Sequence, residues 1–464
     1  MLEQLKKFPF GYYVCCLSFT FERAAYYTAK WGIAIFLVLA AAEGGLGLET
    51  AQGAFFSSQI VAWTYITPVI GGYIADRWIS PRLLVPIGEI MMAAGYFCIA
   101  RANGTAGVWL CVILVALGTG FFKGNVSGIN GRQFANDKST LTTAFSIQYS
   151  FVNIGSFCGT TFITLIAVNG GQNGYRTMFM ICAALMVVDC IWWLVGQKSL
   201  GDAGKKPFLV DNRTEDINNA NIEEDLRPLT SLEKKRTFAI ILLTFLSGIF
   251  WLFWYLAYMP AYYEFGPASQ GGFGWADWTI GSFEMPTAWF DSMNGLLCII
   301  LCPVFAAVWN KLSKKGKDWS MMTKTSVGIM LLGLAIAAMA LGGVIYKNTG
   351  NAVGIWVIIL TAVCMSVGEV LFSPLGNSFI SEYAPKKLLG TLLGVWPLII
   401  FFAGLIYGPL YNWMSLNFIP TFTAAAIIIF VLGALLCIFT KKFEAMINGT
   451  EEERAELAKL NKEA

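Results

Sequence analysis

The sequence predicts an all-α membrane protein of twelve transmembrane helices arranged as two six-helix bundles. Three observations carry this. Apolar residues make up 56% of the 464-residue chain and charged residues only 13%, against roughly 25% charged in ordinary soluble domains. The apolar residues gather into twelve runs, roughly 10–42, 49–77, 82–101, 107–131, 140–168, 173–196, 237–263, 283–312, 320–346, 354–384, 390–414 and 417–440. Each approaches or exceeds the about 20 residues a helix needs to cross a bilayer. The long polar stretch 197–236 divides the runs six and six, the organisation of transporters built from two repeats around a midplane site. The expected layout is an N-terminal bundle (1–196), a linker (197–236), a C-terminal bundle (237–440) and a charged tail (441–464).

Orientation follows from the Lys/Arg bias of the loops. One set holds the N-terminal KK, DRWISPR, GRQFANDK, the 197–236 loop, KLSKKGKD, YAPKK and the tail; the other holds only Arg101, Arg176 and Lys347. Both termini are therefore expected in the cytoplasm, with the protein integral to the plasma (inner) membrane. The N-terminus, MLEQLKKFPF, has no small-residue cleavage site, so a removed signal peptide is not expected. The 11 Cys are scattered without a CxxC spacing and read as buried, inert thiols, not disulfides or zinc ligands. With no His, no metal cluster, no phosphate loop and no nucleophile–base set, an enzyme is not expected. No metal, organic cofactor or nucleic acid is expected either.

The first span contains FTFERAAYYTAK (Phe19–Lys30) where hydrocarbon should be. On a helix Arg23, Tyr27 and Lys30 share one stripe, and Glu22 and Tyr26 make the next. Ionisable groups at bilayer depth cost at least ~2.5 kcal/mol each and normally face a bundle interior or a wet cavity. This helix is expected to line a polar cavity. The fourth span, GTGFFKGNVSGINGRQF, sets Lys123 among small residues that permit close helix approach. The tenth contributes Glu369. A dipolar solute needs a cation for one end and a carboxylate for the other, with amide partners between. Lys123, Lys30 and Arg23 lie in the first half and Glu369 in the second, so a bound zwitterion would bridge the halves. Glu89 and Asp189 read as structural partners or helix-end residues, and the tail as a solvated helix with a Glu456–Lys459 pair.

Motifs in order then carry a resemblance. GGYIADR, with Gly72, Asp76 and Arg77, resembles the signature loop of the major facilitator superfamily, in which the Asp caps a neighbouring helix. ERxxYY in the first span, GTGxxKxN in the fourth, FSIQYSFVNIGSF in the fifth, WFDSMN in the eighth, GExxxSPxxxS in the tenth and GTLLGVW in the eleventh together resemble the proton-coupled oligopeptide transporter family. The resemblance implies the major facilitator fold, a monomer, and proton-driven uptake of di- or tripeptides or similar zwitterions. Protons would be the coupling ion.

By that resemblance Tyr26, Tyr27 and Tyr65 are substrate-contacting tyrosines, and Lys123 is the fourth-span lysine of carboxylate binding and coupling. Asn153 and Asn294 hydrogen-bond the peptide backbone, Glu369 receives the amino terminus, and Trp396 lines the cavity wall. Glu22, Arg23, Lys123 and Glu369 are the coupling candidates. The chain also departs from the pattern. Phe19 replaces the leading carboxylate of ExxERFxYY, Ala24 its Phe, and Lys30 the usual Arg. In the seventh span Trp254 and Tyr255 stand where the family has Glu and Gln. Asp291 replaces the eighth-span Gln and is positioned to become the partner of Lys30. These departures also suit a carrier diverged toward a non-peptide metabolite or drug, without proton coupling.

Overall fold

The computed structural model describes residues 8–134, 138–209, 228–372 and 375–463. The twelve expected spans appear as Phe10–Val38, Thr50–Arg77, Pro81–Ala100, Thr105–Arg132, Lys138–Cys158 continued through Thr164–Asn169, Gly174–Gly196, Ser231–Leu256 continued through Tyr258–Tyr262, Trp289–Ser313, Met321–Thr349, Trp356–Phe372 with Leu375–Tyr383, Leu389–Ser415 and Phe418–Asn448. Among the described residues nine helices are long and apolar enough to cross a membrane, and Trp356–Phe372 is a shorter apolar one. The first two spans, 29 and 28 residues, are long enough, about 40 Å at 1.5 Å per residue, but too polar to qualify. Both line the cavity described below.

Several boundaries differ from the sequence reading. The seventh helix starts at Ser231, not 237, because Thr230 and Glu233 form a capping box that satisfies the first free N–H groups. The eighth starts at Trp289, since Thr279–Ile280 and Phe283–Glu284 form a small antiparallel hairpin before it. The twelfth runs on to Asn448. The start of the linker is bound to the N-terminal bundle: Phe208 N donates to Ala75 O, Leu209 N to Asp76 O (3.0 Å), and Arg82 Nε to Ala203 O (2.7 Å). The tail helix Glu451–Glu463 is tied to the seventh helix. Glu453 accepts from Lys235 Nζ (2.7 Å) and Ser231 Oγ (2.8 Å), contacts that hold its carboxyl down at about 2. This tie, not Glu456–Lys459, is the ion pair the structure shows for the tail.

Small residues let the helices touch. A Cβ on Gly71 would lie 2.0 Å from Gly120 O, so the second and fourth helices meet backbone to backbone there, whereas Gly72 faces open space. The fifth helix crosses the first at Gly155 and Gly159, against Thr20 O and Ala24 O, and loosens into a π turn at Gly159–Ile163, a feature frequent at functional sites. Glu89 and Asp189 are not at helix ends; both are fully buried inside the first bundle.

The halves are joined on the side away from the Lys/Arg-rich loops. Tyr263 OH donates to Ala34 O (3.0 Å), Trp31 Nε1 to Thr287 Oγ1 (2.9 Å) and Asn412 Nδ2 to Ala51 O (2.9 Å). A Cβ on Gly408 would meet Ala54 O at 2.5 Å. Next to Tyr263 and beyond the end of the seventh span, Glu264 is buried and accepts Tyr411 OH on both oxygens at 2.8 Å. Burial pushes its carboxyl up to about 7.

This packing generates two predictions. Gly71→Ala lowers stability by about 1–3 kcal/mol through overpacking, while Gly72→Ala stays within about 0.5 kcal/mol of the parent, read by thermal unfolding in detergent. Because the folded protein holds the Glu264 proton up to about pH 7 and an unfolded chain releases it near 4.5, stability falls as pH rises through that window. Glu264→Gln removes this residue's share of the slope and gains up to about 3 kcal/mol at pH 8 relative to the parent, measured as the unfolding midpoint against pH.

Candidate functional site

A narrow polar cavity lies between the bundles. The first bundle supplies its cations. Arg23 and Lys30 reach it from the first helix and Lys123 from the fourth. The helical stripe read from the sequence explains why Arg23, Tyr27 and Lys30 arrive together, with Tyr26 beside them. The second bundle supplies Glu369, Asn294, Trp254 and Tyr255. The two charge types therefore face each other across a void built from separate six-helix units.

Each ion is held differently. Arg23 clamps Glu22 through Nε and Nη2, using both carboxylate oxygens, and its guanidinium lies over Tyr26 (4.7 Å) and Tyr27 (5.7 Å). Glu22 itself is fully buried behind the cavity and does not line it. Lys30 Nζ pairs with Asp291 Oδ1 at 2.9 Å and sits 4.4 Å from the centre of the Tyr258 ring; Tyr262 OH donates to the other oxygen of Asp291. The expected replacement of a seventh-span partner by Asp291 is thus realised in the contact. Lys123 Nζ faces the Tyr65 ring at 4.9 Å, and no carboxylate pairs with it among the described residues. Glu369 Oε2 accepts from Asn294 Nδ2 (2.8 Å), whose amide also reaches Ser366 Oγ (3.1 Å). Overhead, Tyr255 OH donates to Tyr65 OH at 2.8 Å, a direct bond between the halves.

The wall also holds unused donors. The indole N–H groups of Trp251 and Trp254 are buried without an acceptor, and both residues line the cavity. Buried unpaired donors are costly, so they are sites where a solute carbonyl or carboxylate gains most. Asn153 donates to Tyr149 O (2.9 Å), and its own side-chain carbonyl oxygen remains available to the cavity.

Of the residues expected to bind substrate, Tyr26, Tyr27, Lys30, Tyr65, Lys123, Asn153, Trp254, Tyr255, Asn294 and Glu369 all line this void. Trp396 does not. It stacks on Phe372 at 6.3 Å, which does not line the void either. Gly72, Asp76 and Arg77 lie at the end of the second helix. Arg77 covers the Tyr73 ring (4.0 Å), and the bond shown at Asp76 is to its backbone carbonyl, from Leu209 N. In place of the helix cap expected of the Asp76 carboxylate, the linker anchors here. Thr119, Tyr149 and Trp251 were missed by sequence reasoning although they line the cavity. Each stands four residues before an expected site residue (Lys123, Asn153 and Tyr255), so one helical turn was the signal that would have found them.

A family model described as Major Facilitator Superfamily matches residues 21–396. The chain belongs to the major facilitator superfamily. Among curated relatives, a di-/tripeptide transporter of Lactococcus lactis subsp. cremoris is 25% identical over 71% of this chain and 75% of its own length. A peptide transporter of Yersinia enterocolitica is 24% identical over 94% of this chain and 95% of its own. Among solved structures, a peptide transporter in complex with alafosfalin superposes with a TM-score of 0.81 at 23% identity, covering 95% of this chain and 96% of that one. A transporter of the proton-coupled family in complex with 5-aminolevulinic acid gives 0.81 at 23%, covering 94% and 97%. The twelve-helix superfamily fold read from the sequence is therefore the fold this chain adopts, and the protein is an integral membrane transporter by family.

The Lys30–Asp291 contact yields a prediction of its own. Removing one partner of a buried pair leaves an uncompensated charge and costs about 3–5 kcal/mol, whereas replacing both costs little. Asp291→Ala is expected to lose that much, and Lys30→Met with Asp291→Ala to recover most of it, as measured by a double-mutant cycle on the unfolding midpoint.

Proposed function

We propose that the protein is a secondary-active importer of di- or tripeptides, or of solutes with the same separated charges, driven by a proton gradient through alternating access. One observation carries the reading: an unpaired lysine on one bundle and an Asn-supported carboxylate on the other share one cavity. A peptide's carboxylate is matched by Lys123, with Arg23 beside it, and its amino group by Glu369. Its amide carbonyls are matched by the free indole N–H groups of Trp251 and Trp254, and its N–H groups by Asn153. Charge-assisted bonds of this kind are the strong ones. Because the two ends of the solute are gripped by different bundles, binding draws the bundles together. The names of the relatives, peptide transporters in two bacteria, support the same cargo.

Protons enter through the carboxylates. A solute carboxylate that attracts Arg23 loosens its clamp on Glu22, and a buried Glu22 without its cation is disfavoured as an anion. Glu369 changes its neighbours in the same way when an amine arrives. Proton uptake is then tied to solute position, with protons as coupling ion and no other cofactor. The Lys/Arg-rich face, with both termini, is assigned to the cytoplasm, and the cavity is complete within one chain, so a monomer suffices.

The test is uptake of labelled dialanine into proteoliposomes under an inward acid gradient. Uptake above empty vesicles that stops when the gradient is collapsed is expected; absence of uptake at any gradient removes the peptide reading. Lys123→Ala and Glu369→Ala are each expected to bring uptake to the empty-vesicle level while the purified variants still unfold cooperatively.

A further inference from the structure

Behind the cavity, inside the first bundle, two carboxyl groups meet that the transport reading does not use. Glu89 comes from the third helix and Asp189 from the sixth, and both have 0% exposure. The helices lock together around them: Cys190 Sγ contacts Pro86 O, Trp193 Nε1 donates to Arg82 O, and a Cβ on Gly88 would meet Gly118 O of the fourth helix at 2.5 Å. Among the described residues no donor in normal hydrogen-bond geometry reaches any of the four carboxyl oxygens, and the hydroxyl of Ser18, also fully buried, has no partner.

The polar groups that face the pair are few. Glu89 interacts with Asp189 and Cys190; Asp189 interacts with Ser18 and Glu89, and at longer range with Glu22. From the first helix the facing groups are thus Ser18 and Glu22, and Glu22 is already clamped by Arg23. The fourth helix packs here through Gly118, and its Lys123 belongs to the cavity side. No cation pairs with either carboxyl among the described residues. Nor does any group of three or more His, Cys, Asp and Glu gather there to hold a metal ion.

Two anions buried side by side without a cation repel each other and lack solvation, so such a pair binds a proton. We propose that Glu89 and Asp189, with the Ser18 hydroxyl, form a buried proton-binding site separate from the cavity. A proton on Glu89 donates to one oxygen of Asp189, and the Ser18 hydroxyl donates to the other; four of the five orphaned atoms then have a partner. The site stands one helical turn from Glu22 along the first helix, so its occupancy changes the field on the Glu22–Arg23 pair. This inference rests on burial and geometry and stands whether or not the cargo is a peptide.

Infrared spectroscopy of the purified protein in lipid nanodiscs tests it. The parent is a Glu264→Gln, Glu369→Gln background, which removes two further buried carboxyls that no cation pairs with among the described residues. At pH 7 this parent is expected to show the carbonyl band of one protonated carboxyl; Glu89→Gln with Asp189→Asn in one chain is expected to abolish it, and each substitution alone to shift its frequency. A band unchanged in the double variant, or no band in the parent, overturns the proposal. Stabilisation of the parent by sodium at alkaline pH, lost in either variant, also overturns it by assigning a metal cation to the site. Should a variant fail to fold, titration of the parent decides. A band that survives to above pH 7 upholds the site, and one already lost below pH 7 refutes it.

Discussion

The cost of placing ions in a bilayer governs this structure. A charged side chain at that depth persists only if it is paired, stacked or wet, and the first helix carries three such groups within nine residues, Glu22, Arg23 and Lys30. Each solves the problem differently. Glu22 and Arg23 neutralise one another on neighbouring positions, and the aromatic faces of Tyr26 and Tyr27 take the outer side of the guanidinium. Among the described residues no carboxylate of its own bundle pairs with Lys30, which reaches across to Asp291. That reach is a structural fastener between halves, and the helix that makes it is also the helix that lines the cavity.

The remaining polar inventory divides by the same rule. Lys123 and Glu369 have no ionic partner in each other, since they sit on opposite walls with the void between. They are supported instead by a ring face and by an amide. Support without neutralisation is what a binding site for a zwitterion needs, because each charge stays available while the desolvation penalty is partly offset. On the far side the halves are sealed by neutral contacts, Trp31 to Thr287, Tyr263 to Ala34, and Gly408 against Ala54. Neutral hydrogen bonds and close backbone approach come apart at lower cost than buried ion pairs, which suits a seal that must open once per cycle.

How much of this was legible in the sequence depended on range. The stripe Arg23, Tyr27, Lys30 follows from helical period alone, and the cavity is where that stripe points. Lys123 and Glu369 were legible because a charge inside an apolar run is tolerated only where it meets a partner or water. What failed was information held by tertiary contact. Gly71 and Gly72 are indistinguishable as letters, yet only Gly71 meets the Gly120 carbonyl. Trp396 looked like a wall residue, but its ring packs on Phe372 outside the cavity lining. Glu89 and Asp189 are 100 residues apart and each alone reads as a stray carboxyl; only the pairing of the third and sixth helices makes them neighbours. Helix ends moved by up to eight residues where a cap or a hairpin, not hydrophobicity, set the boundary.

The departures from the peptide-transporter pattern now have a physical shape. A gate built from Arg and a seventh-span Glu would be bidentate and planar. Here the ammonium of Lys30 is a point charge, and it contacts two helices at once by different means. The eighth supplies the ion pair through Asp291, and the seventh supplies a ring face through Tyr258 at 4.4 Å. Tyr262, also on the seventh, donates to Asp291 and so ties the carboxylate back to the helix that lost it. The seventh helix therefore keeps its link to the first without placing a charge of its own at this contact. A carboxylate moved by one helix, held in place by a tyrosine, preserves the fastener between the bundles while leaving Trp254 and Tyr255 free to shape the cavity where the family's Glu and Gln would stand.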